Sequence, residues 1–269
     1  MARSKSSPYN DFMTDVKHIV ITGASSGIGA ALAEQLGAAG HRIVLAARRE
    51  PELQDVAARV GNGAIVVATD VTKRSDVERL RDRAIEAFGH VDVWVNNAGR
   101  GITRPALELT DEELDLMMTV NVKSALYGMQ AIVPHFIARG RGQIVNLSSV
   151  LSRVPFATYR SAYNAAKAAL NALTANARVD LSRAHPGIHV TLVMPGLVST
   201  DFQRNALGGS PPIPAATESQ PVEDAVAAIV QAIDHPVAEI YTNPQHAAPL
   251  VARYFQDVGA FERAAASRV

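Results

Sequence analysis

Tyr163 and Lys167, in the stretch SAYNAAKAAL at residues 161–170, stand four residues apart. If this alanine-rich stretch is helical, 3.6 residues per turn place the phenol beside the ammonium on one face. Such a pair is either an ordinary surface contact or a phenol whose proton moves. Two residues alone do not choose. A second group is TGASSGIG at residues 22–29, comprising Thr22, Gly23, Ser25, Ser26, Gly27, Ile28 and Gly29 around Ala24. Glycines spaced this way let a backbone approach a pyrophosphate and aim helix N–H groups at it, provided that the turn joins a strand to a helix. A tight turn with no ligand is the other reading.

The surrounding pattern supplies that proviso. Short β-branched runs recur as HIVIT (18–22), RIVLA (42–46), AIVVA (64–68), VDVWV (91–95), QIVNL (143–147) and HVTLV (189–193), with EIY (239–241) a weaker seventh. Most are continuously apolar, as in strands covered on both faces. Amphipathic stretches at 27–39, 73–88, 111–138 and 161–184 alternate with them. Gly40 stands where a C-terminal cap belongs, and TDEE at 110–113 fits a capping box. Strict alternation predicts right-handed βαβ units and an α/β fold: a doubly wound, parallel, Rossmann-type sheet of about seven strands with helices on both faces.

Ligands in such sheets bind at the carboxyl ends of the strands. The second run is followed by Arg48 and Arg49, with no acid before Glu50. A carboxylate there would accept bonds from both ribose hydroxyls of NAD, whereas a guanidinium holds a 2′-phosphate through parallel charge-assisted bonds. NADP is therefore the expected cofactor, a solvated basic pair being the alternative. The third run leads to Asp70 and Val71. NNAG follows the fourth, where the small Ala98 and Gly99 leave room for a flat ring and Asn97 can fix sugar hydroxyls or brace backbone. Ser148 and Ser149 follow the fifth. After the sixth comes PGLVST, in which Pro195 and Gly196 turn the chain and Val198 and Thr200 follow.

With these motifs in this order, the chain resembles the short-chain dehydrogenase/reductase family, in its single-domain, NADP-preferring branch. The resemblance runs from residue 17 to 245 and rests on TGASSGIG, NNAG, Asn121 in VNVKSAL, the serine of NLSS, YNAAK and PGLVST. It implies Tyr163 as acid/base, Lys167 as its modulator and ribose anchor, Ser149 as orienter of the carbonyl, and Asn121 as positioner of water and lysine in a proton relay. The turn at 22–29, Arg48, Arg49, Asp70, Val71, Asn97, Ala98, Gly99, Tyr163, Lys167, Pro195, Gly196, Val198 and Thr200 become the cofactor-binding set. A phenol ordinarily ionises near ~10, and a neighbouring ammonium pulls that value down. One departure stands out: Ser149 precedes Tyr163 by fourteen residues, one more than the family spacing, so Ser148 stays open as the catalytic serine. Tyr159 has no lysine four residues on and does not compete with Tyr163.

The implied activity is NADP(H)-dependent hydride exchange between nicotinamide and a carbonyl or secondary alcohol. Two alternatives stay open: a redox sensor that binds NADP without turnover, and an isomerase or dehydratase that retains its nicotinamide. The substrate pocket is expected near residues 100–105, 150–159 and 197–215, largely apolar through Phe156, Tyr159, Leu197, Phe202 and Leu207. Its substrate is an unspecified small carbonyl or alcohol compound.

Totals narrow the classes. Of 269 residues 48% are hydrophobic, and Lys+Arg equals Asp+Glu at 26 each, so no basic excess points to nucleic acid. Cysteine is absent, which excludes disulfides and thiolate chemistry and fits a cytoplasmic protein. No apolar run approaches the ~18 residues of a membrane span. The start of the chain lacks the apolar core of a secretory signal, and residues 1–15 read as a flexible extension of one domain at 16–269. Its one long loop is 195–220. His185 and His189 have ligand spacing, but Pro186 and Gly187 break the helix between them, so no metal is expected. Small and apolar residues on 111–138 and 161–184, among them Ala165, Ala168, Ala169, Ala172 and Ala175, predict pairing with a second copy in a homodimer or homotetramer.

Overall fold

Continuous apolar runs are strands here because the sheet is buried on both sides. The computed structural model describes residues 16–210 and 218–266. The expected extension at 1–15 and residues 211–217 of the long loop lie outside them. The strands β1 (His18–Thr22), β2 (Arg42–Ala47), β3 (Ile65–Ala68), β4 (Val93–Asn96), β5 (Gly142–Leu147), β6 (Ile188–Met194) and β7 (Glu239–Tyr241) make one sheet in the order β3-β2-β1-β4-β5-β6-β7. Every neighbouring pair is parallel. The order reverses between β1 and β4, and that crevice is where a doubly wound sheet accepts a ligand.

Side-chain alternation divides the strands between two cores. Ile19 and Ile21 pack with α1 (Gly27–Ala38), α2 (Glu50–Val60) and α7 (Val222–Asp234) through Leu32, Leu36, Leu53, Val56 and Ile229. Val20 faces the other side and joins residues of α3 (Arg74–Phe88), α5 (Ser124–Arg139) and α6 (Ser161–Ser182), including Leu80, Ile132, Phe136 and Leu181. Trp94 and Phe136 are the largest fully buried side chains. Burying a side chain of this kind is worth ~1.5–3 kcal/mol, so both faces contribute heavily to stability.

The stretch 111–138 departs from its expected single helix. It forms α4 (Asp111–Met118), a π-helical turn (Thr119–Lys123) and then α5. The capping box at its start is present: Thr110 Oγ1 accepts from Glu113 N–H at 3.2 Å, and Glu113 Oε2 accepts from Thr110 N–H at 3.3 Å. Two helices beyond β7, α8 (Pro244–Gln256) and α9 (Val258–Ala266), fold back towards the carboxyl ends of the strands and bring Leu250 and Phe261 to the cavity there.

Candidate active site

The turn between β1 and α1 is closely fitted to its neighbours. Gly23 has φ +67, and a Cβ on it would lie 2.8 Å from Ala98 Cα and 2.9 Å from Asn97 Nδ2. A Cβ on Gly29 would come within 2.5 Å of the Gly23 carbonyl oxygen. Only glycine meets both demands. Asn97 Nδ2 donates to the carbonyls of Thr22 (2.8 Å) and Gly23 (3.2 Å), so this residue braces the turn. Thr22 is buried: its hydroxyl donates to the Val95 carbonyl at 3.1 Å and accepts from the N–H groups of Asn97 and Ala98. Thr22 and Gly29 therefore shape the turn from behind, while Gly23, Ser25, Ser26, Gly27 and Ile28 face a cavity of about 1750 Å³.

Arg48, Arg49, Asp70, Val71, Asn97, Ala98, Gly99, Pro195, Gly196, Val198 and Thr200 line that same cavity. Arg49 reaches across to the turn, its Nη2 donating to Ser25 Oγ at 3.0 Å and Ser26 Oγ at 3.1 Å. It also pairs with Glu52 at 3.4 Å. Asp70 Oδ1 accepts from the Thr72 backbone N–H and hydroxyl at 3.0 and 2.7 Å, fixing the turn after β3. The residues at hand fit a dinucleotide: a glycine cradle for the pyrophosphate, a helix N-terminus behind it and guanidinium groups at the far end.

Tyr163, Lys167, Ser148 and Ser149 enter the same cavity from α6 and the end of β5. The two serines differ. Ser148 Oγ donates to Asn171 Oδ1 at 2.5 Å and to the Lys167 carbonyl at 3.2 Å, which occupies it in holding α6 to β5. Ser149 Oγ accepts from Leu151 N–H at 3.2 Å, and Ser149 is the serine that favours ionisation of the Tyr163 phenol. The residue beside the phenol is Ser149.

Burial pushes the Tyr163 phenol up to about 12, against the lowering effects of the Ser149 side chain and the Arg160 charge. Burial pushes the Lys167 ammonium down to about 7. Lys167 Nζ donates to the Leu147 carbonyl at 2.7 Å and lies 5.7 Å from the centre of the Tyr163 ring. Asn121, on the π turn, is buried outside the cavity lining: Nδ2 donates to the carbonyls of Arg100 (3.0 Å) and Met117 (3.1 Å), and Oδ1 accepts from Arg100 N–H (3.1 Å). Its side chain ties the segment after Gly99 to the helix. A Cβ on Gly99 would lie 2.9 Å from Asn121 Oδ1 and 3.4 Å from Lys167 Nζ, so asparagine and lysine flank this glycine together.

Three contributions have no counterpart among the residues expected from sequence. Arg160 is buried beside Tyr163 with its Nη2 unpartnered. The buried chain Trp94–Asn96–Asn146–Thr174 supports β4, β5 and α6, through Trp94 Nε1 to Asn96 Oδ1 (2.8 Å), Asn96 Nδ2 to Asn146 Oδ1 (2.8 Å) and Asn146 Nδ2 to Thr174 Oγ1 (2.9 Å). His246, Leu250, Arg253 and Phe261 bring the C-terminal helices to the cavity. Arg160 alone carries a local signal, its place three residues before Tyr163. At the opposite ends of the strands, His18, His90 and Asp92 hold ligand-type atoms within 4.8 Å of one another. Asp92 is engaged there by Arg139 Nη2 at 3.0 Å and by His18 N–H at 2.9 Å, an ion-pair network whose resident guanidinium would repel a metal cation.

The family model for short chain dehydrogenases matches residues 17–208. The chain belongs to the short-chain dehydrogenase family. Among curated relatives of this short-chain dehydrogenase, an uncharacterized oxidoreductase of Staphylococcus epidermidis is 37% identical over 210 residues, covering 78% of this chain and 89% of its own. A short-chain dehydrogenase/reductase of Burkholderia phymatum, solved in complex with NAD, superposes with a TM-score of 0.82 at 27% identity, covering 93% of this chain and 96% of that one. One of Burkholderia cenocepacia, solved in complex with NADP, gives 0.78 at 28% identity, with 93% and 97% covered. The protein is thus an oxidoreductase of short-chain dehydrogenase type.

Proposed function

We propose that this short-chain dehydrogenase exchanges hydride between NADP(H) and a small carbonyl or secondary alcohol compound, with Tyr163 as the general acid/base. The observation that carries the reading is the shared cavity: Ser149, Tyr163 and Lys167 line the same space as the glycine turn and the two arginines. A bound nicotinamide dinucleotide supplies the hydride. Everything else is asked of this chain. The turn and the N-terminus of α1 hold the pyrophosphate, Arg49 and Arg48 hold the 2′-phosphate, and Lys167 reaches a ribose. Ser149 and Tyr163 hydrogen-bond the carbonyl oxygen, and Tyr163 gives that oxygen its proton as negative charge develops. A phenol held protonated by burial suits the reductive direction, because the acid is loaded at neutral pH.

Preference for NADP is supported by chemistry at the end of β2, where guanidinium groups stand and the first acid is Glu50. The known complexes of related structures include both NAD and NADP, so the choice rests on these side chains. The proposed unit is one domain from 16 to 269, acting in the cytoplasm as a homo-oligomer.

Tyr163→Phe tests the reading directly, since it keeps the ring and removes the proton. General acid catalysis is worth ~10²–10⁴-fold, so ketone reduction with NADPH should fall by at least ~10²-fold. NADPH binding, followed by fluorescence on the same preparation, should persist. Equal turnover in parent and variant would sink Tyr163 as the acid. A parent that binds NADPH yet reduces nothing across a broad carbonyl panel would favour the sensor.

A further inference from the structure

Arg160 is the N-cap residue of α6, three positions before Tyr163, and only 3% exposed. Its Nη1 donates to the Ile102 carbonyl at 2.9 Å, while its buried Nη2 has no hydrogen-bond partner. Ile102, Met117, Ala162, Phe202 and Leu207 form an apolar satellite core to which Tyr163 itself belongs. A Cβ placed on Gly101 would meet Arg160 Nη1 at 2.8 Å and a carbon of the Phe202 ring at 3.1 Å. The Phe202 ring in turn lies 5.6 Å from the Tyr163 ring. Guanidinium and phenol thus both adjoin this apolar cluster, and both line the main cavity.

A buried cation normally has a carboxylate beside it, because an unpaired charge in an apolar region is costly. Among the described residues no acid pairs with Arg160. From the segment after β4, Arg100 lines the cavity and Arg104 is occupied by Glu113 of α4 at 3.1 Å. From the segment after β6, Asp201 is taken by Arg204. On its own segment Arg160 faces Tyr159, whose ring centre is 5.8 Å from Cζ, and Tyr163, with Lys167 one turn further on. The groups beside it able to become negative are the Tyr159 and Tyr163 phenols, and of these Tyr163 is the proposed acid.

We propose that Arg160 is a positioning residue of the reaction, a buried guanidinium held without an acid so that the ionised Tyr163 oxygen becomes its counterion. This rests on the proposed role of Tyr163 as acid/base. Lys167 is the other cation near the phenol, its ammonium lowered by burial to about 7. A guanidinium keeps its charge far above that, even with burial lowering its value here. The Arg160 charge is also one of the two influences that oppose burial at the Tyr163 phenol.

The test titrates residue 163 directly, without turnover. Replacing Tyr163 with a fluorinated tyrosine, whose phenol is more acidic, brings its ionisation into a measurable range of near-ultraviolet absorbance. The midpoint is then compared in the Arg160 background and in Arg160→Met, Arg160→Gln and Arg160→Lys. Arg160→Gln keeps a donor for the Ile102 carbonyl, and NADPH binding serves as the check on folding for each. Loss of a nearby charge should raise the midpoint by about one pH unit or more in Met and Gln, with Lys restoring most of it. In the natural-tyrosine proteins, the pH profile of alcohol oxidation with NADP⁺ should shift upward in the same order. An unmoved midpoint overturns the proposal. So does an effect confined to KM for carboxylate-bearing substrates, which would assign Arg160 to substrate binding. If the parent turns over no carbonyl, the proposed function fails while the titration still decides the role of Arg160.

Discussion

Tyr163 and Lys167 share a helix face, yet burial drives their proton equilibria in opposite senses, up to about 12 and down to about 7. Both shifts have one physical cause, the removal of water from whichever form is charged. For Lys167 this has a consequence for stability. Its folded value lies below the ~10.4 of an unfolded lysine, so between about 7 and about 10 the unfolded chain holds a proton that the folded chain does not. The penalty for burying this residue is therefore largest below about 7 and fades as pH rises through that window. In the protein without cofactor, the denaturant midpoint of the parent should gain on that of Lys167→Met between about pH 6 and about pH 9. A difference that is flat with pH would show that Lys167 is not buried as described.

At the scale of elements, the end of β2 and the start of α1 meet across the cavity. Position in the sequence favours Arg48, the nearer of the two to β2, as the 2′-phosphate residue. Both arginines are exposed, but Arg49 Nη2 is the group that reaches Ser25 and Ser26. Hydrogen bonds to charged groups contribute ~1.5–3 kcal/mol, so Arg49→Ala should weaken NADPH by roughly tenfold to over a hundredfold while leaving NADH nearly unchanged. Arg48→Ala is the companion variant, and fluorescence titration with both cofactors measures each. Equal NADPH and NADH affinities in the parent would refute the preference. The strands are legible in the sequence because burial on both faces writes them as unbroken apolar runs, whose ends fall within a residue or two of β1 to β7. The π turn at 119–123 is not legible. Nothing in TVNVK alters the apolar period; what stands out in the fold is Asn121, whose side chain bonds the Arg100 backbone from another element. π turns often occur at functional sites.

At the scale of the molecule, α6 presents a stripe that the fold itself does not cover. Ala165, Ala168 and Ala172 are exposed, and Val179 is 70% exposed. Ile137 on α5 and Leu114 on α4 are exposed as well. Small residues in such a row allow a second helix to approach closely, and pairing α6 with its copy would brace Tyr163 from behind. Light scattering at micromolar concentration should return a dimer or tetramer mass, with Val179→Asp shifting the population towards monomer. A monomeric parent would refute the assembly.

The order of strands and helices, the strand-to-helix turn and the Tyr163–Lys167 pair are all readable from the chain, because each is set by local periodicity or by neighbours within a few residues. The difference in surroundings between Ser149 and Ser148 is not. Spacing leaves both open, and only the packing of Asn171 against Ser148 and of Tyr163 against Ser149 separates them. The same holds for Thr22 and Gly29, which shape the turn without lining the cavity, and for the C-terminal helices that bring Phe261 to it. Proton equilibria at Tyr163 and Lys167 likewise belong to the tertiary structure. A residue's type names its charge, but the water removed around it and the charge of Arg160 beside it come from segments that meet only in the folded protein.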